Sequence, residues 1–267
     1  MPTEPLLDRF VNHDVGLPPH RFAGLVAPAI DRVFVAGMLA GRDGGGAELS
    51  QRYGGPAATG LLVEFRTRLA APGGVIDGSG FAAVTRYRNP AVTRRNLDKH
   101  VAHGTVVRRP DGGFTATERG ADFLAEIYQV HAEVTEELWA GHDDRVARLV
   151  EAAGRLLAYA LLRADEPDAE PAPAFAAMAP PYEPEGLAPG VQLLNRLGAL
   201  RYHRADAHAA AWTAAGHTVT SVAELPLGLP ERRAIEQETD RRAAGPYTAL
   251  TAQERLEVLA DLAALPG

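Results

Sequence analysis

A chain of 267 residues with 46% apolar and 23% charged side chains can bury one large core or two ordinary ones. It has no cysteine, which excludes disulfides, thiolate nucleophiles and cysteine-based zinc sites. Its net charge of −7 argues against a general polyanion binder, because neutralising phosphate needs Lys and Arg.

Met1–Pro19 reads as an arm. Met1–Asp14 carries early acids and no apolar h-region, so no signal peptide is expected. Residues 20–41 have the apolar spacing of a helix, with Phe22, Leu25, Val26, Ile30, Val33 and Phe34 on one broad stripe. The most apolar run, Phe22–Ala40, is broken by Pro28, Asp31 and Arg32 and falls short of a membrane span. A cytoplasmic location follows by elimination. Gly41 and Gly44-Gly45-Gly46 end the first helix. Ala47–Tyr53 is a short helix stopped by Gly54-Gly55-Pro56, and Ala57–Ala70 is another, closed by Pro72-Gly73-Gly74. Residues 75–85 lean towards β, with Val75, Ile76, Phe81 and Val84 between glycines.

The next block carries most of the information. Residues 86–109 hold seven cations (Arg86, Arg88, Arg94, Arg95, Lys99, Arg108 and Arg109) against the single acid Asp98. This local charge of +6 leaves −13 on the rest of the chain, and a basic face on an acidic body fits a DNA reader. Asn89–His103 is the candidate recognition helix, with Pro90 in a first turn that tolerates proline and Gly104 just past the end. Thr93, Arg94, Arg95 and Asn96 are types that hydrogen-bond phosphates and base edges. Residues 105–117 form a hairpin around Asp111-Gly112-Gly113, with Arg108 and Arg109 near its tip. Thr117-Glu118-Arg119-Gly120 opens a long helix to about Trp139, and Asp143–Arg163 is a further one.

The run Leu97–Gly120 resembles the MarR family of bacterial regulators: a helix ending in Leu and Asp, a glycine, an apolar strand, two arginines, a hairpin, then a Thr-Glu-Arg-Gly helix start. The resemblance covers about a tenth of the chain. It implies a winged helix-turn-helix, a homodimer, binding to a double-stranded DNA operator, and often a small-molecule inducer. Members of that family are shorter than this chain, so the C-terminal region has another task.

Residues 164–190 are dense in proline and acid and read as a linker or surface strap. They divide the chain into an N-terminal helical and winged-helix domain, 1–163, and a C-terminal helical lobe, 191–267. Helices are expected at about 190–216, 229–243 and 251–264, the last opened by a Thr251/Glu254 capping box. Within the first, Tyr202, His203, Arg204, Asp206, His208 and Trp212 crowd a few turns. His203 and Asp206 are i,i+3 and could form an acid–base pair in a ligand or catalytic pocket. A structural network is the competing reading of the same residues, and no metal site is expected, because His208 at i+5 points away from His203. Leu200–Trp212, Ala214-Ala215-Gly216, Glu236–Arg241 and Pro246-Tyr247 resemble the C-terminal half of an uncharacterised actinobacterial group of two-lobed helix-turn-helix proteins. That likeness implies a fold and no catalytic role.

The sequence therefore reads as mainly α with a small β-hairpin wing or wings, a winged helix-turn-helix with possibly two winged-helix-like lobes. The function it favours is a ligand-responsive transcriptional regulator that binds DNA, without a cofactor. The alternative is an enzyme or small-molecule-binding protein for sequestration, resistance or biosynthesis on a repurposed winged-helix scaffold. A DNA-repair glycosylase ranks below both, for want of a catalytic Gln or carboxylate signature.

Overall fold

The computed structural model describes residues 16–166 and 169–267, so most of the expected N-terminal arm and the segment assessed for a signal peptide lie outside the described residues. The chain is mainly helical with one small antiparallel sheet. Helix α1 spans Pro19–Gly41 and α2 spans Ala47–Arg52. As expected, Gly41 and Gly44-Gly45-Gly46 end α1: the chain kinks between α1 and α2, with Gly44 and Gly45 out of helical geometry, Gly45 at φ 120°. The glycines also let α1 lie close to a later helix, since a Cβ on Gly41 would strike the His131 ring and one on Gly44 would strike Val134.

The expected helix 57–70 is two pieces, α3 (Pro56–Glu64) and α4 (Arg66–Leu69), turned at Phe65. Residues 75–85 hold only a two-residue strand, β1 (Val75–Ile76). The remainder is helix α5 (Gly78–Val84), whose N-cap Asp77 accepts from Gly80 N at 2.6 Å. The β-leaning expectation failed here because this local cap, with packing against a later helix, outweighs the propensities of Phe81 and Val84.

Helix α6 (Pro90–Ala102) follows, then β2 (Val106–Arg108) and β3 (Phe114–Ala116). The sheet order is β1-β3-β2, antiparallel throughout, with Val75 opposite Thr115 and Val106 opposite Ala116. Phe114 is fully buried and meets Phe65 and Phe81 edge-on, tying the sheet to α3–α5. Helix α7 (Glu118–Leu138) starts where Thr117 Oγ1 accepts from Gly120 N at 3.1 Å and donates to Gly104 O at 2.6 Å.

Helix α8 spans Asp143–Ala164. The strap then contains a short helix, α9 (Pro173–Met178), seated between α5 and the long α10 (Pro189–Ala214). A short α11 (Val219–Glu224), not expected from the sequence, precedes α12 (Pro230–Arg242) and α13 (Ala252–Ala264). The Thr251/Glu254 capping box is formed.

Two cores result. One joins α3, α5, α6, the hairpin and α7 through Leu62, Phe65, Leu97, Phe114 and Phe123. The larger joins α1 and α8 to α10 and α13 through Phe22, Val33, Leu156, Leu193 and Leu262, so residues on both sides of the strap share it. One segment, Pro19–Arg52, is long and apolar enough to cross a membrane by length and composition, contrary to the reading of Phe22–Ala40. In the fold its Phe22, Val26, Ile30 and Val33 face is buried against protein.

Candidate functional site

Two features stand out: an exposed basic helix and a cleft behind it. Asn89 caps α6, its Oδ1 accepting from Ala91 N at 2.9 Å and Val92 N at 3.2 Å. Thr93, Leu97 and His100 are the buried face. His100 Nε2 lies 2.9 Å from Leu61 N and accepts from it, while Nδ1 donates to Asn96 O at 2.7 Å. The neutral ring thereby anchors α6 to α3, and its burial lowers the imidazole pKa.

Arg94, Arg95, Asn96 and Lys99 are exposed. Thr93 is not: it faces the core, so it cannot reach a nucleic acid as expected. Nor are all the cations free. Arg86 is turned inward to Asp206, Arg88 pairs with Glu64, Arg108 with Asp98, and Arg109 lies 3.7 Å from Asp111. Arg86 is therefore a structural residue, held by a carboxylate of α10 and by its own bond from Nε to Ala83 O at 2.7 Å.

The C-terminal cluster is split by its surroundings. The expected His203–Asp206 pair does not form. Asp206 accepts from Phe175 N at 2.8 Å, satisfying a free N–H in the first turn of α9, and from Arg86. Burial pushes its carboxyl pKa up, against both of these bonds. His203 packs edge-on against the Phe175 ring, 5.3 Å between centroids, and burial pushes its pKa down to about 4. Tyr202 donates to Glu64, and Arg204 pairs with Asp240 at 2.7 Å. Tyr87 joins the remaining two: its hydroxyl accepts from Trp212 Nε1 at 3.2 Å and lies 2.9 Å from His208 Nδ1. Among the described residues, no group of three His, Asp or Glu could hold a metal ion.

Between α1, α3–α4, α10 and α12 lies a cleft of about 740 Å³. Ile30, Phe34 and Met38 of α1 form an apolar wall, and Arg201 lies over the Phe34 ring at 4.3 Å. Gly198 lets α10 approach, since a Cβ there would meet the same ring at 3.0 Å. Of the expected cluster, Tyr202, Arg204 and His208 line this cleft, and so do Tyr87 and Arg88 from the segment leading into α6.

The sequence reading missed the polar floor of the cleft. Arg66 is 3% exposed. Its Nη1 donates to Val63 O at 3.2 Å and Nη2 to Asn195 Oδ1 at 3.3 Å, but its Nε has no partner among the described residues. Thr67 Oγ1, beside it, is likewise buried and unpaired. Asn195, fully buried, donates to Tyr128 Oη at 3.3 Å, which donates to Tyr182 O at 3.2 Å. Burial lowers the Arg66 pKa, with Tyr128, Tyr202 and Glu64 opposing weakly. Removing such a charge from water costs several kcal/mol unless it is paired. A signal was available: Leu62, Arg66 and Leu69 share one helical face, and a cation on an apolar stripe is unusual. No family model, no curated protein and no solved structure matches this chain.

Proposed function

We propose that this protein is a ligand-responsive transcriptional regulator of the winged helix-turn-helix type, similar to the MarR family. In this reading α6 is the helix that enters the major groove, and the β2–β3 hairpin is the wing beside it. One observation carries the reading. The cleft is walled on one side by Tyr87 and Arg88, immediately before the N-cap of α6. A ligand that draws Arg88 from Glu64, or Tyr87 from His208, shifts the start of the basic helix. Binding in the cleft and binding to DNA are then linked through one element, and by reciprocity each ligand alters the affinity of the other. Arg94, Arg95, Asn96 and Lys99 are the DNA contacts in this scheme, with Arg108 and Arg109 released from their acids to meet the backbone. The working assembly is a homodimer on two half-sites, acting in the cytoplasm.

The test is binding to the DNA upstream of the protein's own coding region across a salt series, wild type against Arg94→Ala/Arg95→Ala. Sequence-specific binding with a steep salt slope, weakened in the double variant, supports the regulator. Absence of binding at low salt rejects it. A second reading would then stand: a small-molecule-binding protein or enzyme on the same scaffold. It is favoured by the pairing of four of the seven cations of residues 86–109 with acids, which reduces the charge available to phosphates.

A further inference from the structure

Of the 27 Lys and Arg residues in the chain, Lys99 is the only lysine. It stands on the exposed face of α6, which the fold turns outward by burying Thr93, Leu97 and His100 on the other side. Arg95 lies one helical turn before Lys99, a spacing that puts the two side chains on one stripe, and it too is exposed. Asp98, the only acid of residues 86–109, is taken by Arg108. Among the described residues neither Lys99 nor Arg95 enters an ion pair, so amine and guanidinium are both open to an anion from solution. The two cations differ in chemistry. A guanidinium stays charged, whereas a lysine amine that has lost a proton attacks acyl carbons. Any acyl donor that reacts with a side-chain amine of this chain therefore reacts at one position, on the helix proposed to read DNA. Acyl phosphates are anions, and a guanidinium one turn from the amine can hold the phosphate in its planar fork.

We propose that Lys99 is an acyl-acceptor site for small acyl phosphates, with Arg95 holding the donor's phosphate, and that acylation there weakens DNA binding. The amine nitrogen attacks the acyl carbon: the N–C amide bond forms and the C–O bond to phosphate breaks. Of the two protons the ammonium gives up, one ends on the departing phosphate and one on water. The side chain has then lost its positive charge. The acceptor site stands on the chain alone; its effect on DNA rests on the regulator reading above. The test treats the full chain with acetyl phosphate and, separately, with acetic anhydride as an uncharged donor, and locates the acetyl group by peptide mass mapping. Both donors acetylate Lys99. Arg95→Ala lowers the ratio of the acetyl phosphate rate to the anhydride rate about two- to fivefold, the worth of an exposed ion pair. An unchanged ratio would make Lys99 an exposed amine with no donor site and overturn the proposal, as would a chain treated with acetyl phosphate that carries no acetyl group at Lys99. Acetylated protein then binds its upstream DNA with a salt slope smaller by about 0.9, one phosphate contact, and about fivefold more weakly near physiological salt. Lys99→Arg has no amine at this position, so acetyl phosphate leaves its DNA affinity where it stood before treatment, which also controls for acetylation of the terminal amine. Unchanged binding by the acetylated wild type, or an equal loss in treated Lys99→Arg, would overturn the switch. The rate ratio is measured without DNA. A ratio that falls in Arg95→Ala beside no DNA complex rejects the regulator, and the switch with it, and keeps the acceptor site. A specific DNA complex beside an insensitive ratio keeps the regulator and rejects the site.

Discussion

Arg86 and Asp206, 120 residues apart, form an ion pair that joins the segment before α6 to the middle of α10. Both side chains are shielded, at 14% and 4% exposure. Asp206 also holds the first turn of α9 through Phe175 N, so one carboxylate ties three elements together.

Removing either partner leaves the other buried without its counter-charge. Arg86→Ala and Asp206→Ala should each destabilise the protein by about 3–5 kcal/mol in urea unfolding. The double variant should lose clearly less than the sum of the two, because the orphaned charge is gone. Additive losses would show that the pair is not coupled.

Exposed Arg94 and Arg95 bear no packing, so Arg94→Ala/Arg95→Ala should leave the urea midpoint nearly unchanged while weakening DNA binding and flattening its salt slope. Thr93→Ala should do the opposite. Its side chain faces the core, so stability falls by about 1 kcal/mol while the salt slope is kept. The two variants thus separate the faces of α6.

Stability should fall on mild acidification. Burial holds His203 at about 4 and His131 at about 3, against an ordinary value of 6.5. The folded state therefore binds fewer protons than the unfolded chain below pH 6.5. Stability is complete above that value and declines as pH drops towards the folded values. For His203 the loss is about 2 kcal/mol by pH 5, before most carboxylates titrate. His203→Phe should flatten the decline of the urea midpoint between pH 7 and 5; an unchanged slope would assign it to other groups.

Gly120→Ala should cost about 1–3 kcal/mol, because a Cβ there runs into the Thr105 carbonyl oxygen, which is backbone and cannot swing aside. Gly60→Ala is the control. Nothing lies within 4 Å of a Cβ at that helical position, so its Tm should hold or rise.

The sequence by itself determined what depends on neighbours a few residues away. The Asp111-Gly112-Gly113 turn, the Thr117-Glu118-Arg119-Gly120 helix start and the Thr251/Glu254 capping box rest on local hydrogen bonds, and each is formed where it was expected. Tertiary structure decided what depends on partners far along the chain. Residues 75–85 became mostly helix once α5, capped by Asp77, packed against α9, and the glycines that end α1 also lie against α7, where a Cβ on Gly41 or Gly44 would strike His131 or Val134. His203 and Asp206 share a helix, yet each is claimed by another element, the Phe175 ring for one and Arg86 for the other. Arg66 could be seen in the sequence as a cation on an apolar stripe, but that it lacks a counter-charge is a property of the whole fold. Only the packing of α10 against α1 and α4 decides which acids can reach it, and that packing closes a cleft around it with no acid within ion-pair distance among the described residues.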